Sequence, residues 1–175
     1  MNLNFSLSCY RAIYYSLLLL LILKEANCLT TMSVCSSAKT YIDKLAWICV
    51  RNRKQLVARS CGKVAFFTPG GKREGDSETD EDALCREIKE ECNVKLIPST
   101  IHLYGVFEAQ AYGKPPGTMV RITGYTADYD NNSEELQPSS EIEELKWISS
   151  SFSYDKLTET GIMILEDLKE KDLVD

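Results

Sequence analysis

The sequence predicts one α+β domain. Segments typical of strands and of helices follow one another without the regular strand–helix–strand repeat of a parallel α/β sheet. A segment with helical periodicity, 80–92, follows a glycine-rich turn, and two long runs rich in β-branched and aromatic residues, 101–112 and 118–129, lie further on. With 175 residues, of which 44% are hydrophobic and 26% charged, the chain has enough apolar material for one domain core.

Residues 1–31 are predicted to lie outside this domain, which we expect to span residues 32–175. A basic residue precedes an apolar run over 12–23, and small residues follow it. This is the plan of a signal peptide, and the run is shorter than the ~20 residues of a permanent membrane helix. Alternatively the protein starts at Met32 and the leader is an upstream extension.

The two interpretations of the leader give two locations. A functional signal peptide directs the chain into the secretory pathway, and the membrane is a partner only if the leader is retained. A start at Met32 makes the protein cytoplasmic. We favour the cytoplasm because five cysteines follow residue 31, an odd number without the spacing of a disulfide framework.

Short β segments are predicted before the central helix. Residues 45–50 form a nearly continuous apolar run, as expected of a strand buried on both faces. The polar residues 51–54 predict a turn, and 55–59 the returning strand of a hairpin. Residues 64–67 predict a third strand, which Pro-Gly-Gly at 69–71 ends.

The remaining elements follow the central helix. Residues 95–97 predict a short edge strand, and the two long β runs, separated by the Gly/Pro-rich loop 113–117, predict a hairpin. Residues 145–148 predict the last strand. Apolar residues at helical spacing over 158–171 predict a closing amphipathic helix.

Charge and composition exclude some functions. The net charge of −6 and pI of about 5.0 argue against a protein that binds a nucleic-acid backbone. An acidic protein can still bind a small phosphate ester through a metal ion, because the cation reverses the local charge. The single histidine and the seven cysteines, which form no CxxC pair, argue against a zinc site.

The central helix carries carboxylates beside its apolar face. At about 100° per residue, Glu87, Glu90 and Glu91 share one arc, and Leu84 and Ile88 occupy the adjoining arc. Acidic residues on a helix are commonly a solvated surface. When three carboxylates converge, however, they repel one another unless a cation lies among them, and Mg²⁺ prefers such oxygen ligands.

The order of residues around this helix resembles the Nudix box, G-x5-E-x7-R-E-U-x-E-E-x-G-U, where U is a bulky aliphatic residue. The matching residues here are Gly71, Glu78, Arg86-Glu87-Ile88, Glu90-Glu91 and Val94. Two positions depart from the pattern. Six residues rather than five separate Gly71 from Glu78, and Asn93 replaces the last glycine, a substitution that suits a left-handed helix cap.

The resemblance implies a fold and an enzyme class. The expected architecture is a Nudix-like α/β/α sandwich with a mixed central sheet, the box helix and a C-terminal helix. The expected reaction is hydrolysis of the diphosphate (pyrophosphate) bond in a nucleoside diphosphate-linked small molecule by metal-activated water. By this resemblance Glu87, Glu90, Glu91 and the Gly70 carbonyl bind Mg²⁺ or Mn²⁺, with Glu90 and Glu91 also assigned to catalysis.

Further site residues are expected around the box. Glu78 and Arg86 are predicted to pair and to brace the loop against the helix. Lys72, which follows the glycines, and Arg59 are the main candidates for phosphate contacts. Arg73 and Arg121 are further candidates.

A catalytic acid outside the box is also expected, because members of the family use one on a loop before the last strand. Glu141 is our choice for a base or an extra ligand, with Glu143 and Glu144 as rivals and a solvated loop as the alternative. In this family specificity comes from loops outside the box, here 110–117 and 130–140. These loops do not identify the nucleotide, and the oligomeric state is open.

A non-catalytic nucleotide- or protein-binding module on the same fold is the alternative function. Loss of box carboxylates would favour it, and this sequence retains them all.

Overall fold

The computed structural model describes residues 40–130 and 135–175. The described elements are the strands β1 (Thr40–Trp47), β2 (Val50–Arg51), β3 (Lys54–Ser60), β4 (His102–Gln110), β5 (Thr118–Thr126) and β6 (Ile142–Ile148) and the helices α1 (Asp80–Cys92) and α2 (Glu159–Glu170). The predicted leader, residues 1–31, lies outside the described residues. Neither described helix has the length and apolar character needed to cross a bilayer.

The strands form two three-stranded sheets. The first has the order β1-β5-β4, with β1 parallel and β4 antiparallel to β5. The second has the order β2-β3-β6 and is antiparallel. Parallel and antiparallel pairs therefore occur together, and the predicted α+β class with a mixed sheet is confirmed.

A helix covers each side of these sheets. Successive residues of β1 point to opposite faces, so Leu45 and Trp47 pack with the apolar face of α1 while Ala46 packs with that of α2. Leu56 and Val57 of β3 divide in the same way. The apolar run in β1 is thus explained by burial on both faces, and the α/β/α arrangement is confirmed.

Three predicted strands differ from the observed ones. The predicted strand 45–50 is divided into β1, which begins at Thr40, and the two-residue β2. Residues 64–67 form no strand and make only isolated bridges, Phe66 with Leu157 and Phe67 with Ala58. Residues 95–97 likewise contribute one bridge, at Leu96. A short apolar run forms a strand only where a neighbouring segment pairs with it over several residues. The local sequence pattern does not say whether such a partner is present.

The later elements agree with their predictions. The hairpin is formed by β4 and β5, which pair from His102↔Thr126 to Gln110↔Met119 around the predicted loop. The last strand, β6, begins three residues earlier than predicted, and α2 matches the predicted closing helix.

Both ends of α1 are capped by local side-chain and backbone chemistry. The Thr79 hydroxyl accepts a hydrogen bond from the Asp82 N–H at 3.1 Å. The first turn is acidic, and its negative charges interact favourably with the positive end of the helix dipole. At the other end Asn93 adopts the left-handed conformation, φ 58°, and its N–H donates to the Lys89 carbonyl at 3.2 Å. Asparagine therefore fills the position where the box pattern has glycine.

Candidate active site

The glycine turn runs alongside β1. The N–H groups of Leu45 and Trp47 donate to the carbonyls of Gly71 and Pro69, each at 2.8 Å. Gly70 lies between them at φ 135°, and a Cβ there would be 2.4 Å from the Leu45 carbonyl oxygen, so only glycine fits. The Gly70 carbonyl accepts no hydrogen bond from another described residue, which leaves its oxygen available to a ligand.

Glu91 is a buried carboxylate next to this turn. Its side chain lies on the core side of α1, the residue is 4% exposed, and Oε2 accepts a hydrogen bond from the Gly70 N–H at 2.8 Å. Burial, together with the charges of Glu87 and Glu141, raises the pKa of Glu91 to about 8, while the Gly70 N–H and the Lys44 charge act in the opposite direction. The carboxylate is thus held at a fixed place where its charge requires a proton or a cation.

Glu87 packs directly against the second glycine. A Cβ on Gly71 would be 2.2 Å from the Glu87 carboxyl carbon, so the space that a side chain would take is filled by the carboxylate itself. The glycine turn and α1 therefore approach so closely that Glu87 and Glu91 both lie against the turn. This close approach explains why two glycines occur in a row.

Arg86 connects the loop to the helix. Its Nε and Nη2 donate to the two carboxylate oxygens of Glu78 at 2.9 and 3.1 Å, a bidentate pair. Nη1 donates to Glu87 Oε1 at 3.0 Å, and Nη2 also donates to the Lys72 carbonyl at 3.0 Å. The hydrogen bond from Arg86 holds the pKa of Glu78 below its usual value, and the pKa of Arg86 is raised in return. The residues predicted to brace the loop are thus in contact.

The loop that contains the additional residue leaves the pairing of Glu78 with Arg86 intact. The loop turns at Gly75, which has φ 82° and open space around it, and the Glu74 N–H donates to Glu78. Residues 72–77 are exposed, so the longer loop lies at the surface while Glu78 is paired with Arg86.

The box glutamates face a cleft of about 560 Å³ between the two helices and the sheets. The predicted site residues that line it are Gly70, Lys72, Arg86, Glu87, Glu90, Glu91 and Glu141. Glu90 is the most open of the metal candidates, with 53% of its side chain exposed.

Glu141 reaches the cleft because its loop caps the end of α1. The N–H groups of Gln137 and Ser139 donate to the carbonyls of Cys92 and Glu91 at 3.2 and 3.0 Å. The Glu141 carbonyl accepts from the Cys61 N–H at 2.9 Å. Its carboxylate is close enough to contribute to the raised pKa of Glu91.

Arg59 does not line the cleft, which departs from its predicted phosphate contact. Its guanidinium donates to Glu143 at 2.8 Å and to Glu144 at 2.9 Å. The same two bonds occupy the rivals of Glu141, neither of which lines the cleft. Arg59 on β3 thus pairs with carboxylates of the neighbouring strand β6. The paired residues are more than eighty positions apart, so the linear sequence does not reveal the contact.

The other two arginine candidates are also paired. Arg73 donates to Asp80 at 2.5 Å, and Arg121 pairs with Glu108 and Asp43. Neither lines the cleft.

Three lysines that were not predicted as site residues also line the cleft: Lys44, Lys63 and Lys114. Lys44 precedes the apolar run 45–50 on which the strand was predicted, whereas β1 begins at Thr40 and includes it. Lys63 and Lys114 lie in turns, where no periodicity indicates direction. With Lys72 they bring to four the lysines that line the same cleft as the box glutamates.

The donors fit a hard divalent cation. They are carboxylate oxygens and one free carbonyl, and burial of Glu91 makes a nearby positive charge favourable. Within 40–130 and 135–175, however, no three acidic, His or Cys side chains are already gathered closely enough to hold an ion. The Arg86 Nη1 atom lies 3.0 Å from Glu87 Oε1 and 3.8 Å from Glu90 Oε2.

The model of the NUDIX domain matches residues 44–160, more than half of the sequence. The chain belongs to the Nudix family. The predicted family membership is confirmed, and so is the enzyme class, a Nudix-type pyrophosphohydrolase acting on acid anhydrides. No curated protein matches the sequence.

Several solved structures share the fold. The E. coli ORF135 protein is 24% identical, with 77% of this chain and 95% of that chain covered at a TM-score of 0.58. A MutT Nudix hydrolase from Burkholderia pseudomallei is also 24% identical, with coverages of 73% and 97% and a TM-score of 0.59. A bifunctional NMN adenylyltransferase/ADP ribose pyrophosphatase from Francisella tularensis, complexed with AMP and a Mn ion, is 23% identical, with coverages of 77% and 42% and a TM-score of 0.57.

Proposed function

We propose that this Nudix protein hydrolyses the diphosphate bond of a nucleoside diphosphate-linked small molecule and requires Mg²⁺ or Mn²⁺. Glu87, Glu90, Glu91 and the Gly70 carbonyl hold the ion. The observation that carries the proposal is the buried Glu91, fixed by the Gly70 N–H beside a free carbonyl oxygen in the same turn. The related fold of an ADP ribose pyrophosphatase complexed with AMP and a Mn ion supports both the substrate class and the metal.

Different side chains of the cleft have different roles in the proposed reaction. In the bound state a divalent cation lowers the pKa of water and offsets diphosphate charge. Lys72, next to the glycine turn, and Lys44, on the adjacent strand, offer further positive charge to the phosphate oxygens. Arg86 keeps the loop against α1 through Glu78, so the carboxylates keep their spacing.

Glu141 is assigned as the general base. Its carboxylate is exposed at the cleft and lies near Glu91, where it can accept the proton of the attacking water. The water oxygen forms a bond to one phosphorus, and the bond from that phosphorus to the bridging oxygen breaks. The bridging oxygen leaves with the second phosphate, so the products are a nucleoside monophosphate and the phosphorylated second group.

The test is nucleoside monophosphate release from a panel of nucleoside diphosphate derivatives with Mg²⁺, with Mn²⁺ and with EDTA. Glu90→Gln is expected to lower kcat/KM on the order of 10²-fold or more, because it removes a charged ligand while keeping the side chain's shape. The matched control is Glu81→Gln, since Glu81 is exposed on the same helix and does not line the cleft. Turnover that survives EDTA, or an active Glu90→Gln variant, would contradict the proposal.

A further inference from the structure

The segment 110–117, which comprises the last residue of β4 and the loop that joins it to β5, carries an exposed aromatic residue at the cleft. Tyr112 is 57% exposed and lines the same cleft as the box glutamates. A single exposed tyrosine is ordinary on a protein surface. Here, however, internal hydrogen bonds hold the backbone that carries it.

One side chain ties this loop together. Gln110 Nε2 donates to the carbonyls of Pro115 at 2.9 Å and Lys114 at 3.3 Å, and its Oε1 accepts from the Gly117 N–H at 3.0 Å. The carbonyls on one side and the N–H on the other are compatible with only one orientation of the amide. The Gln110 amide thus holds the loop on both of its sides, through its Nε2 and its Oε1.

Backbone contacts add to this support. The Ala111 N–H donates to the Thr118 carbonyl at 2.8 Å, and the Lys114 N–H donates to the Ala111 carbonyl at 3.1 Å. The Gln110 N–H donates to the Glu159 carboxylate at 3.2 Å, which links the loop to the first turn of α2. A side chain on such a preorganised loop loses little backbone freedom when a ligand binds.

The neighbouring side chains indicate the chemistry of the ligand. A tyrosine ring offers a flat face for a planar ring, and base–aromatic stacking is a general mode of nucleotide binding. Lys114, two residues away on the same loop, also lines the cleft and makes no ion pair with a described residue. A ligand that carries both a planar ring and an anionic group therefore matches Tyr112 and Lys114.

We propose that Tyr112 is the stacking platform for a planar heteroaromatic ring of the substrate and that Gln110 is the residue that positions it. This inference rests on the proposed function and names the part of the substrate recognised outside the box. The ring belongs either to the nucleobase or to an aromatic group on the other side of the diphosphate. The chemistry of stacking is the same in both cases.

The experiment compares ligands that differ in the ring. Dissociation constants are measured by calorimetry for AMP, UMP, nicotinamide mononucleotide and ribose 5-phosphate, with no turnover required. The ring-bearing monophosphate that binds most tightly is expected to bind about tenfold or more tightly than ribose 5-phosphate. Preference for AMP or UMP assigns the platform to the nucleobase, and preference for the nicotinamide compound assigns it to the second group.

The variants test the platform itself. Tyr112→Ala is expected to bring the ratio between ring-bearing and ringless ligands close to one, whereas Tyr112→Phe retains it. Tyr154→Ala, which truncates an exposed tyrosine that does not line the cleft, is the matched control and should leave the ratio intact. An unchanged ratio in Tyr112→Ala overturns the proposal, as does a wild-type protein that binds no ring-bearing monophosphate more tightly than ribose 5-phosphate.

The positioning role has its own test. Gln110→Glu keeps the side chain's shape but turns a carboxylate oxygen toward the carbonyls of Lys114 and Pro115. We expect the ligand ratio to fall as in Tyr112→Ala, with no further fall in the double variant. A ratio unchanged in Gln110→Glu overturns the positioning role, and if that variant does not fold, Gln110→Ala replaces it.

Failure of this inference is distinguishable from failure of the proposed function. Turnover with a ring ratio insensitive to Tyr112 leaves the hydrolase proposal standing and overturns only the platform. A ring ratio that depends on Tyr112, in a protein without turnover, overturns only the hydrolase proposal.

Discussion

Two walls of the same cleft are built in opposite ways. The box wall consists of residues 70–72 with Glu87, Glu90 and Glu91, and the loop wall consists of residues 110–112 with Lys114. On the box wall the functional groups are themselves bound by the protein, as Glu91 is by Gly70 and Glu87 by Arg86. On the loop wall the backbone is bound and the side chain of Tyr112 is left exposed.

Because of this difference, substitutions on the two walls should affect different properties of the protein. Groups that must keep fixed distances to one another are held by internal contacts, so a change on the box wall should affect turnover. Groups that select a ligand are presented to solvent on a supported backbone, so a change on the loop wall should affect selectivity. The glycines of the box wall leave no room for variation, whereas Tyr112 can be replaced without a steric consequence.

The largest effect on turnover is expected from substitution of Glu141, the acid beside the box wall. Glu141→Gln should lower kcat about 10²-fold or more because it removes the proposed proton acceptor. Affinity for Mn²⁺, measured by electron paramagnetic resonance, should change little, which separates a base from a metal ligand. Glu143→Gln is the matched control, since Glu143 is paired with Arg59 and does not line the cleft. Equal losses in the two variants would remove the assignment of Glu141.

A steric change to the box wall should have the next largest effect. Gly71→Ala places a Cβ 2.2 Å from the Glu87 carboxyl carbon, so the carboxylate must move away from the turn. Misplacement of a catalytic group by about 1 Å costs about 10²-fold in rate, and we expect a loss of up to this size in kcat/KM together with weaker Mn²⁺ binding.

Gly105→Ala is the control for this substitution. Its added Cβ would be 3.6 Å from the nearest Phe107 atom, an ordinary contact, so activity should stay within about twofold of wild type. If Gly71→Ala is as active as this control, the close approach of Glu87 to the turn is not required for the reaction.

The smallest effect concerns the brace behind the box wall. The hydrogen bond from Arg86 lowers the pKa of Glu78 in the folded protein, so this interaction stabilises the fold above the unfolded pKa of the carboxyl. The stabilisation is lost as pH falls through the lower folded pKa. Glu78→Gln should therefore lower the Tm near pH 7, and its difference from wild type should shrink below about pH 4.5.

Glu166→Gln, at an exposed position of α2, is the control for the same series of melting curves. A Tm difference between wild type and Glu78→Gln that stays constant from pH 7 to pH 3 would contradict the role of the brace.

The sequence alone was sufficient for the features that lie within one continuous segment. The box occupies 71–94, so helical periodicity alone placed Glu87, Glu90 and Glu91 beside the core face of α1, and capping preferences placed Asn93 at its end. Hydrophobic patterning likewise identified both helices and the β4–β5 hairpin.

Tertiary structure decided whatever depends on pairing between distant segments. Whether residues 64–67 become a strand depends on the partners available to them, and the partners of Arg59 lie on β6. Glu141 reaches the cleft because its loop caps α1, and the side chain of Gln110 sets the loop that carries Tyr112. Local propensity does not encode such contacts, because their energies arise only when the sheet register has brought the segments together.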